Sequence, residues 1–354
     1  MHPKGNIAMM KMTMRWYGPD DRVTLQNIGQ VPGMTGIVSA LHDLKPGEVV
    51  TVERLEERKQ VIESMGLQWL VIESIPVHES IKLGKPERDQ LIENYAQSIR
   101  NMGKVGIPVL CYNFMPVFDW TRTNLAMPNA DGSTALSFAQ SDLIKIDLSR
   151  GTGDLPGWGD SYTVEELTQL LADYANINEA QLFENLAYFL QKVVPVAEES
   201  GVLMAIHPDD PPWSIFGLPR IVRNAATLQA LLDVVDSPHN GLTFCTGSLG
   251  ASEENDLTAM VRQFGHRINF VHARNVKRTA SHDFHESKHP SEFGSVNMFE
   301  VIRALHDVGF TGPIRPDHGR MIWGETGRAG YGLYDRALGA TYLYGLMEAI
   351  DHMA

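Results

Sequence analysis

Short β-prone runs alternate with helical segments along most of this 354-residue chain, and this alternation constrains the fold more than any other feature. Eight runs are predicted as strands: 12–17, 36–41, 68–74, 108–114, 202–208, 241–247, 268–274 and 313–319. Seven segments have apolar residues at three- and four-residue spacing and are predicted as helices: 51–66, 86–104, 179–200, 220–236, 254–265, 296–309 and 333–351. The alternation is typical of parallel strands joined by crossover helices, and eight units favour closure into a (β/α)8 TIM barrel. An open doubly wound sheet is the alternative, although no Gly-rich fingerprint follows the first strand.

One connection, between the fourth and fifth predicted strands, is much longer than the others. It covers about residues 117–178 and includes aromatic residues, Arg122 and a Gly-rich stretch. In a barrel this connection lies on the face that carries active sites, so we expect a lid or binding loop; a solvated surface excursion is the alternative. We expect residues 1–354 to form a single TIM-barrel domain, with residues 1–10 as a disordered extension.

Composition and charge restrict the class of partner. Apolar residues make up 43% of the chain and charged residues 21%, which is ordinary for a globular protein with a large core. The formal net charge of −13 disfavours nucleic acid, because neutralising phosphates requires a basic face. We therefore expect a small-molecule ligand, and an anionic one would need local cations to overcome the negative field.

Targeting and redox features favour a cytoplasmic location. No apolar stretch approaches the roughly 18 to 20 residues that span a bilayer, and the first residues lack an unbroken apolar signal core, so we expect no membrane association. Cys111 and Cys245 are the only cysteines, which excludes a disulfide framework. Cys111 has no His or carboxylate beside it in the sequence and is interpreted as core packing.

Four potential metal ligands come at the C-terminal ends of four successive predicted strands: His207, Cys245, His272 and Asp317. Catalytic residues of a barrel come from strand ends on one face, so we expect these side chains around one centre. A single buried histidine is more often a core residue, but four such groups in register favour a metal site. The set does not select the metal, since thiolate and imidazole suit zinc or ferrous iron and carboxylate suits manganese.

Two arginines are predicted to lie near this centre. Arg274 comes two residues after His272 and Arg315 two residues before Asp317, so strand alternation places each arginine on the same side as the ligand. A guanidinium in that position can bind a substrate carboxylate through two hydrogen bonds. The alternative for each arginine is an ion pair inside the barrel.

Further residues are candidates for substrate binding. The stretch 273–290 is predicted to be a polar loop over the site, and its Asn275 and His285 are candidates for contacts to the substrate. Arg15 and Trp16 close the first predicted strand and are candidates for a wall of the site. Ordinary packing is the alternative for Trp16.

His318 and Tyr331 are the candidates for proton transfer. His318 directly follows Asp317, and Gly319 frees the backbone so that both side chains can reach one pocket. An imidazole that titrates near pH ~6.5 suits proton transfer at neutral pH, and orienting a metal ligand is its alternative role. Tyr331 lies between two glycines, and its phenol, with a pKa near ~10, acts as a base only if cations such as Arg328 lower that pKa.

Eight motifs in this order resemble the mannonate dehydratase family: RWYGPDD, SALHDL, PVLCYNFMPVFDWTRT, MAIHPDDPPW, FCTGSLG, VHARNVKR, DFHESKH and RPDHGR. The resemblance covers nearly the whole chain. It implies a barrel of the xylose isomerase-like group, conversion of D-mannonate to 2-keto-3-deoxy-D-gluconate in hexuronate (glucuronate) catabolism, and dependence on Mn²⁺ or Fe²⁺. The metal ligands and the acid–base pair of the family carry over to His207, Cys245, His272 and Asp317, and to His318 and Tyr331.

The chemistry of dehydration agrees with these residues. Loss of water from a sugar acid requires removal of the C2 proton and departure of the C3 hydroxyl, and a metal can stabilise the enediolate charge. We favour His318 as the acid and Tyr331 as the base. The alternatives are a barrel isomerase of neutral sugars and a non-catalytic sugar-acid-binding protein. A homo-oligomer, most simply a dimer, is expected.

Overall fold

The structure is a computed structural model that describes residues 10–159 and 161–353. Its strands are β1 (Lys11–Arg15), β2 (Met34–Ser39), β3 (Gln68–Glu73), β4 (Val109–Tyr112), β5 (Asn124–Pro128), β6 (Thr134–Phe138), β7 (Leu203–Ile206), β8 (Asn240–Cys245), β9 (Ile268–His272), β10 (Val276–Ala280), β11 (Asp283–Glu286) and β12 (Pro313–Arg315). Residues 1–9 of the predicted N-terminal extension lie outside the described ranges, and Met10 is buried.

The helices of the described residues surround these strands. They are α1 (Leu25–Gly29), α2 (Val52–Glu63), α3 (Glu79–Lys82), α4 (Arg88–Val105), α5 (Gln140–Leu143), α6 (Val164–Tyr174), α7 (Glu179–Ser200), α8 (Ala225–Val234), α9 (Thr246–Gly250), α10 (Leu257–Phe264), α11 (Met298–Asp307) and α12 (Leu333–Met353). Short 3-10 helices cover Leu148–Arg150, Gly265–Arg267 and Ser291–Phe293. None of the described helices has both the length and the apolar character of a membrane span.

Eight parallel strands close into a barrel in the order β1-β12-β9-β8-β7-β4-β3-β2. The predicted (β/α)8 TIM barrel is therefore confirmed, and an open doubly wound sheet is excluded. The register places Cys245 of β8 opposite His272 of β9, and His272 opposite Arg315 of β12. All three residues consequently reach the same end of the barrel.

Local sequence accounts for the long helices that surround the barrel. α7 begins at Asn178, whose side chain accepts a hydrogen bond from the Gln181 amide, and it ends at Gly201, whose φ of 66° lies in the left-handed region. Phe189 on the buried face of α7 lies 5.1 Å from Tyr95 of α4 and 5.9 Å from Tyr112 of β4, measured between ring centroids. These aromatic contacts tie α4 and α7 to the barrel wall.

The predicted strands extend further towards the C-terminus than the observed ones. β9 ends at His272 and β12 ends at Arg315, whereas the sequence predicted strands to 274 and 319. Asp317 has a φ of 59°, a left-handed conformation that a strand cannot contain. The residues beyond the strand ends therefore form the mouth of the barrel instead of continuing the sheet.

A second sheet of four antiparallel strands, in the order β10-β11-β6-β5, lies outside the barrel. The prediction of a polar loop at 273–290 is wrong, because most of that stretch forms the hairpin of β10 and β11. Phe284 of β11 pairs with Phe138 of β6, and their rings stack 5.8 Å apart. The segment predicted as a long insertion contains β5, β6, α5 and α6. Its role as a lid stays a prediction.

Candidate active site and metal centre

A cavity of about 400 Å³ opens at the C-terminal ends of the barrel strands. Strand ends and the residues that follow them supply Arg15, Glu73, Cys111, His207, Asp210, Arg315, Asp317 and His318 to its wall. The segment after β4 and the loop before α12 complete the wall with Asp119, Trp120, Trp158, Arg328 and Tyr331. The cavity therefore occupies the face on which barrel enzymes carry their active sites.

The four predicted metal ligands meet at one side of this cavity, whose wall includes His207 and Asp317. Donor atoms of His207, Cys245 and His272 all lie within 4.8 Å of one another. Asp317 borders this group, with its Oδ2 3.7 Å from His272 Nδ1 and 3.9 Å from Cys245 Sγ. Two imidazoles, a thiol and a carboxylate converge, although they are separated by up to 110 positions in the chain.

The electrostatics of this group suit a cation. Burial opposes ionisation of Cys245, but Arg274 and His207 hold the pKa of its thiol well below the usual range. Burial also opposes a charge on Asp317, but Arg315 and His318 hold the pKa of its carboxyl well below the usual range. The thiolate and the carboxylate are the forms that bind metals, so this donor set fits a divalent cation.

A second group of possible donors contains Glu73, Cys111 and His272, whose donor atoms also lie within 4.8 Å of one another. Burial and the Glu73 carboxylate raise the pKa of the Cys111 thiol well above its usual range. Its sulfur accepts a hydrogen bond of 3.2 Å from the Thr243 hydroxyl. A buried, protonated thiol of this kind packs in the core and is a poor metal ligand.

Glu73 was not identified from the sequence, although it ends β3 and the strand-end rule could have found it. Its carboxylate lies 2.9 Å from Arg315 Nη2, 3.3 Å from Arg15 Nη1 and 3.4 Å from His272 Nε2. Arg15 and Arg315, two of the three arginines predicted to bind substrate, thus line the cavity and are also paired with a protein carboxylate. The Glu73 carboxylate thus lies beside Nε2 of His272, whose Nδ1 lies 3.1 Å from His207 Nε2.

His318 and Tyr331 face each other across the mouth of the site, with 2.8 Å between His318 Nε2 and the Tyr331 hydroxyl. The Gly319 amide donates a hydrogen bond of 2.8 Å to the Gly330 carbonyl, which closes the loop that carries both residues. Gly330 has a φ of 78°, and a Cβ there would lie 2.5 Å from Leu136 Cδ1, so this position requires glycine. Burial, together with Tyr17, raises the pKa of the Tyr331 phenol well above its usual range, so this residue holds its proton.

Behind His318 lies a buried charge network formed by Arg122, Asp210, Arg274 and Glu286 (the charge network). Arg122 donates to Asp210 at 2.7 Å and to Glu286 at 3.0 Å. Arg274 donates to Asp210 at 2.6 Å and to Glu286, and its Nε lies 3.0 Å from Asp317 Oδ2. Every nitrogen of Arg274 therefore contacts a protein carboxylate, the arrangement given above as the alternative to substrate binding.

Besides Arg274 of the charge network, three further residues predicted to bind substrate do not line the cavity. Asn275 is buried and donates its side-chain amide to the carbonyls of His289 and Val296. Trp16 is buried against the core cluster, and His285 lies on β11 of the outer sheet. These contacts are structural, and substrate binding by the three residues stays a prediction.

Aromatic residues and one arginine form the outer wall. The Trp120 ring lies 5.7 Å from the His318 ring, and Trp158 donates a hydrogen bond of 2.8 Å to the Trp120 carbonyl. The guanidinium carbon of Arg328 lies 4.1 Å from the centroid of the Tyr17 ring. Within residues 10–159 and 161–353, the Arg328 side chain has no hydrogen bond or ion pair, unlike those of Arg15 and Arg315 in the same cavity.

Known proteins resemble this chain over almost its full length. The family model described as D-mannonate dehydratase (UxuA) matches residues 10–354. Mannonate dehydratase 2 of Halalkalibacterium halodurans is 57% identical over 344 residues, which cover 97% of this chain and 100% of that protein. The crystal structure of mannonate dehydratase from Streptococcus suis serotype 2 has a TM-score of 0.91 and 50% identity, covering 97% of this chain and 95% of that one.

A more distant structure supports the fold alone. A xylose isomerase-like TIM barrel protein from Mycobacterium smegmatis, solved in complex with magnesium, has a TM-score of 0.54 and 16% identity over 92% of this chain and 87% of that one. The matches at 50% identity and above cover both partners almost completely, and they confirm the resemblance read from the eight motifs. The chain belongs to the D-mannonate dehydratase family of hydro-lyases.

Proposed function

We propose that this protein converts D-mannonate to 2-keto-3-deoxy-D-gluconate and water in hexuronate (glucuronate) catabolism, with metal assistance. One observation carries the proposal: His207, Cys245, His272 and Asp317 come together beside a cavity that is also lined by a His–Tyr pair at hydrogen-bond distance. The relatives named mannonate dehydratase support the choice of substrate. Membership of the D-mannonate dehydratase family disfavours the two alternatives, a neutral-sugar isomerase and a non-catalytic sugar-acid-binding protein.

We propose that His207, Cys245, His272 and Asp317 hold Mn²⁺, with Fe²⁺ as the second candidate. When bound, such an ion would stabilise the negative charge that develops on the substrate carboxylate oxygens during C2 deprotonation. The residues themselves prepare the site. Arg274 and Arg315 keep Asp317 ionised, and the Glu73 carboxylate lies beside Nε2 of His272.

His318 and Tyr331 would carry out the two proton transfers. One residue removes the C2 proton, and the other protonates the C3 oxygen as the C–O bond breaks and water leaves; the resulting enol then becomes the keto acid. Burial keeps the proton on Tyr331, which favours Tyr331 as donor to the C3 oxygen. His318 Nε2, next to the Tyr331 hydroxyl, is then the acceptor of the C2 proton. This is the reverse of the assignment preferred from the sequence.

Arg328 is proposed to meet the substrate carboxylate at the mouth of the cavity. The chain carries a formal charge of −13, so an anion needs a local cation to enter. Arg15, Arg274 and Arg315 are already paired with protein carboxylates, whereas Arg328 has no such partner among the described residues. The Tyr17 ring, whose centroid lies 4.1 Å from the guanidinium carbon, supports the Arg328 side chain from one side.

The cellular setting is also proposed. We propose a cytoplasmic enzyme that acts as a single TIM-barrel domain and a homodimer, with the segment at about 117–178 covering the substrate. Tyr334 and Leu338 on α12 are 42% and 48% exposed, which gives this helix an apolar outer surface that a second copy could cover. Sedimentation velocity measures the oligomeric state.

The central prediction is that the manganese-loaded or iron-loaded protein forms a 2-keto acid from D-mannonate. The reaction follows from an acid–base pair beside a metal donor group in one cavity. Keto acid is measured colorimetrically after incubation with either metal. Absence of keto acid with both metals would refute the proposed function.

Cys245→Ser should lose most of the bound manganese, because a serine hydroxyl stays protonated where the thiol ionises. Metal content after gel filtration, measured by elemental analysis, checks this expectation. The matched control is Cys111→Ser, which changes the other buried cysteine and should keep the metal. Equal metal content in the two variants would place the metal elsewhere.

His318→Asn should keep the metal and lower kcat by about 100-fold or more, since asparagine cannot exchange the proton. Metal content and steady-state kinetics with D-mannonate are measured on the same sample. His282→Asn, in the exposed turn between β10 and β11, is the control and should retain wild-type kcat. A fully active His318→Asn variant would remove His318 from the mechanism.

Arg328→Ala should raise KM for D-mannonate by about tenfold and change kcat little, since a charge-assisted hydrogen bond at a wet site contributes roughly 1.4 kcal/mol. The difference in KM between the variant and the wild type should become smaller as ionic strength rises, because salt screens an exposed charge. Arg22→Ala is the matched control: Arg22 donates to the Thr326 hydroxyl and does not line the cavity. An unchanged KM in Arg328→Ala would exclude this contact.

A further inference from the structure

The two ring nitrogens of His318 face different surroundings. Nε2 faces the Tyr331 hydroxyl at 2.8 Å, on the cavity side. Nδ1 faces the charge network, 3.3 Å from Glu286 Oε1 and 2.8 Å from Arg274 Nη1. The first neighbour of Nδ1 is a hydrogen-bond acceptor and the second is a donor, so they favour opposite tautomers of the neutral ring.

Proton exchange at Nε2 of His318 determines whether Nδ1 must face a hydrogen-bond acceptor or a donor. If His318 accepts a proton at Nε2, the neutral ring carries its hydrogen on Nδ1. If His318 donates from Nε2, the ring is the imidazolium and again carries a hydrogen on Nδ1. Both roles therefore require an acceptor beside Nδ1, and Arg274 cannot be one.

We propose that Glu286 is a positioning residue of the dehydration: it accepts the Nδ1 hydrogen of His318 and so keeps Nε2 free for the substrate proton. The inference rests on the proposed function. Glu286 Oε1 lies within hydrogen-bond distance of Nδ1, and the residue is 1% exposed. A carboxylate in this position parallels the acid that orients the histidine of a catalytic triad.

The surroundings of Glu286 explain how a buried carboxylate stays in place. Arg122, 0% exposed, and Arg274, 1% exposed, both donate to its Oε1. Asp210 compensates the second positive charge, with 2.7 Å to Arg122 and 2.6 Å to Arg274. The charge network thus contains two guanidiniums and two carboxylates. Removing Arg122 together with the charge of Glu286 leaves it balanced.

This balance permits a test with two matched double variants, Arg122→Met/Glu286→Met and Arg122→Met/Glu286→Gln. Both lose one positive and one negative charge, and replacing a buried ion pair with apolar groups of similar size is often tolerated. They differ in one property, since glutamine retains an acceptor oxygen and methionine does not. The readouts are kcat and KM with D-mannonate, bound manganese and the midpoint of urea unfolding.

We expect the Met/Met variant to bind manganese and to keep KM within about threefold, while its kcat falls by about 100-fold. The Met/Gln variant should recover kcat to within about tenfold of wild type, with an unfolding midpoint close to that of Met/Met. Equal kcat in the two variants would overturn the proposal, because only the acceptor separates them. So would a Met/Met variant with wild-type kcat.

A crystal structure of each double variant gives a readout that needs no turnover. With the acceptor removed, the His318 ring should rotate or shift so that Nε2 leaves the Tyr331 hydroxyl, whereas the glutamine variant should keep the 2.8 Å contact. An unmoved ring in Met/Met would overturn the proposal even if the wild-type enzyme formed no keto acid. Absence of keto acid with the wild-type enzyme, by itself, would refute the proposed function and not the role of Glu286.

Discussion

Buried negative charge at the mouth of the barrel is the constraint on which the rest of the site depends. Cys245 at the end of β8 and Asp317 beyond β12 are both buried, and an isolated buried anion is unstable. Arg274 and Arg315 stabilise Asp317, with contacts of 3.0 Å and 2.8 Å. Burial opposes a charge on His207, but the neighbouring thiolate raises its pKa to about 9.

The same constraint separates two kinds of arginine. Those closest to the metal donors compensate protein carboxylates, so their guanidiniums are committed before any substrate arrives. Arg328, at the rim, has no such commitment among the described residues, and it stacks on Tyr17. Arginines that contact the buried carboxylates therefore have a structural role. Arg328, which contacts none of them among the described residues, is the candidate for substrate binding.

The barrel could be predicted from sequence because its evidence is local. Each strand and each long helix has its own hydrophobic period, and counting eight units is enough to suggest closure. The outer sheet could not be predicted in the same way. In that sheet, Ser137 of β6 pairs with His285 of β11, which is 148 positions later in the chain. The two strands are short and contain polar residues, so their sequences alone resemble loops.

The site shows the same division. The strand-end rule brought His207, Cys245, His272 and Asp317 together, and it would also have found Glu73. Glu286 could not be found by that rule, because it lies on the outer sheet and its importance comes from contacts with Arg122 and Arg274. A residue whose role depends on partners distant in sequence cannot be predicted from local sequence patterns.

The two sheets also divide the chemistry between them. Barrel strand ends and the residues just beyond them supply the proposed metal donors, whereas the outer sheet and the segment that leads into it supply Glu286 and Trp120 to the surroundings of His318. A change in the outer sheet can therefore alter the proposed proton transfer while the proposed donor group stays intact. The reaction of a barrel protein therefore depends on the side chains that surround the mouth and not on the barrel architecture alone.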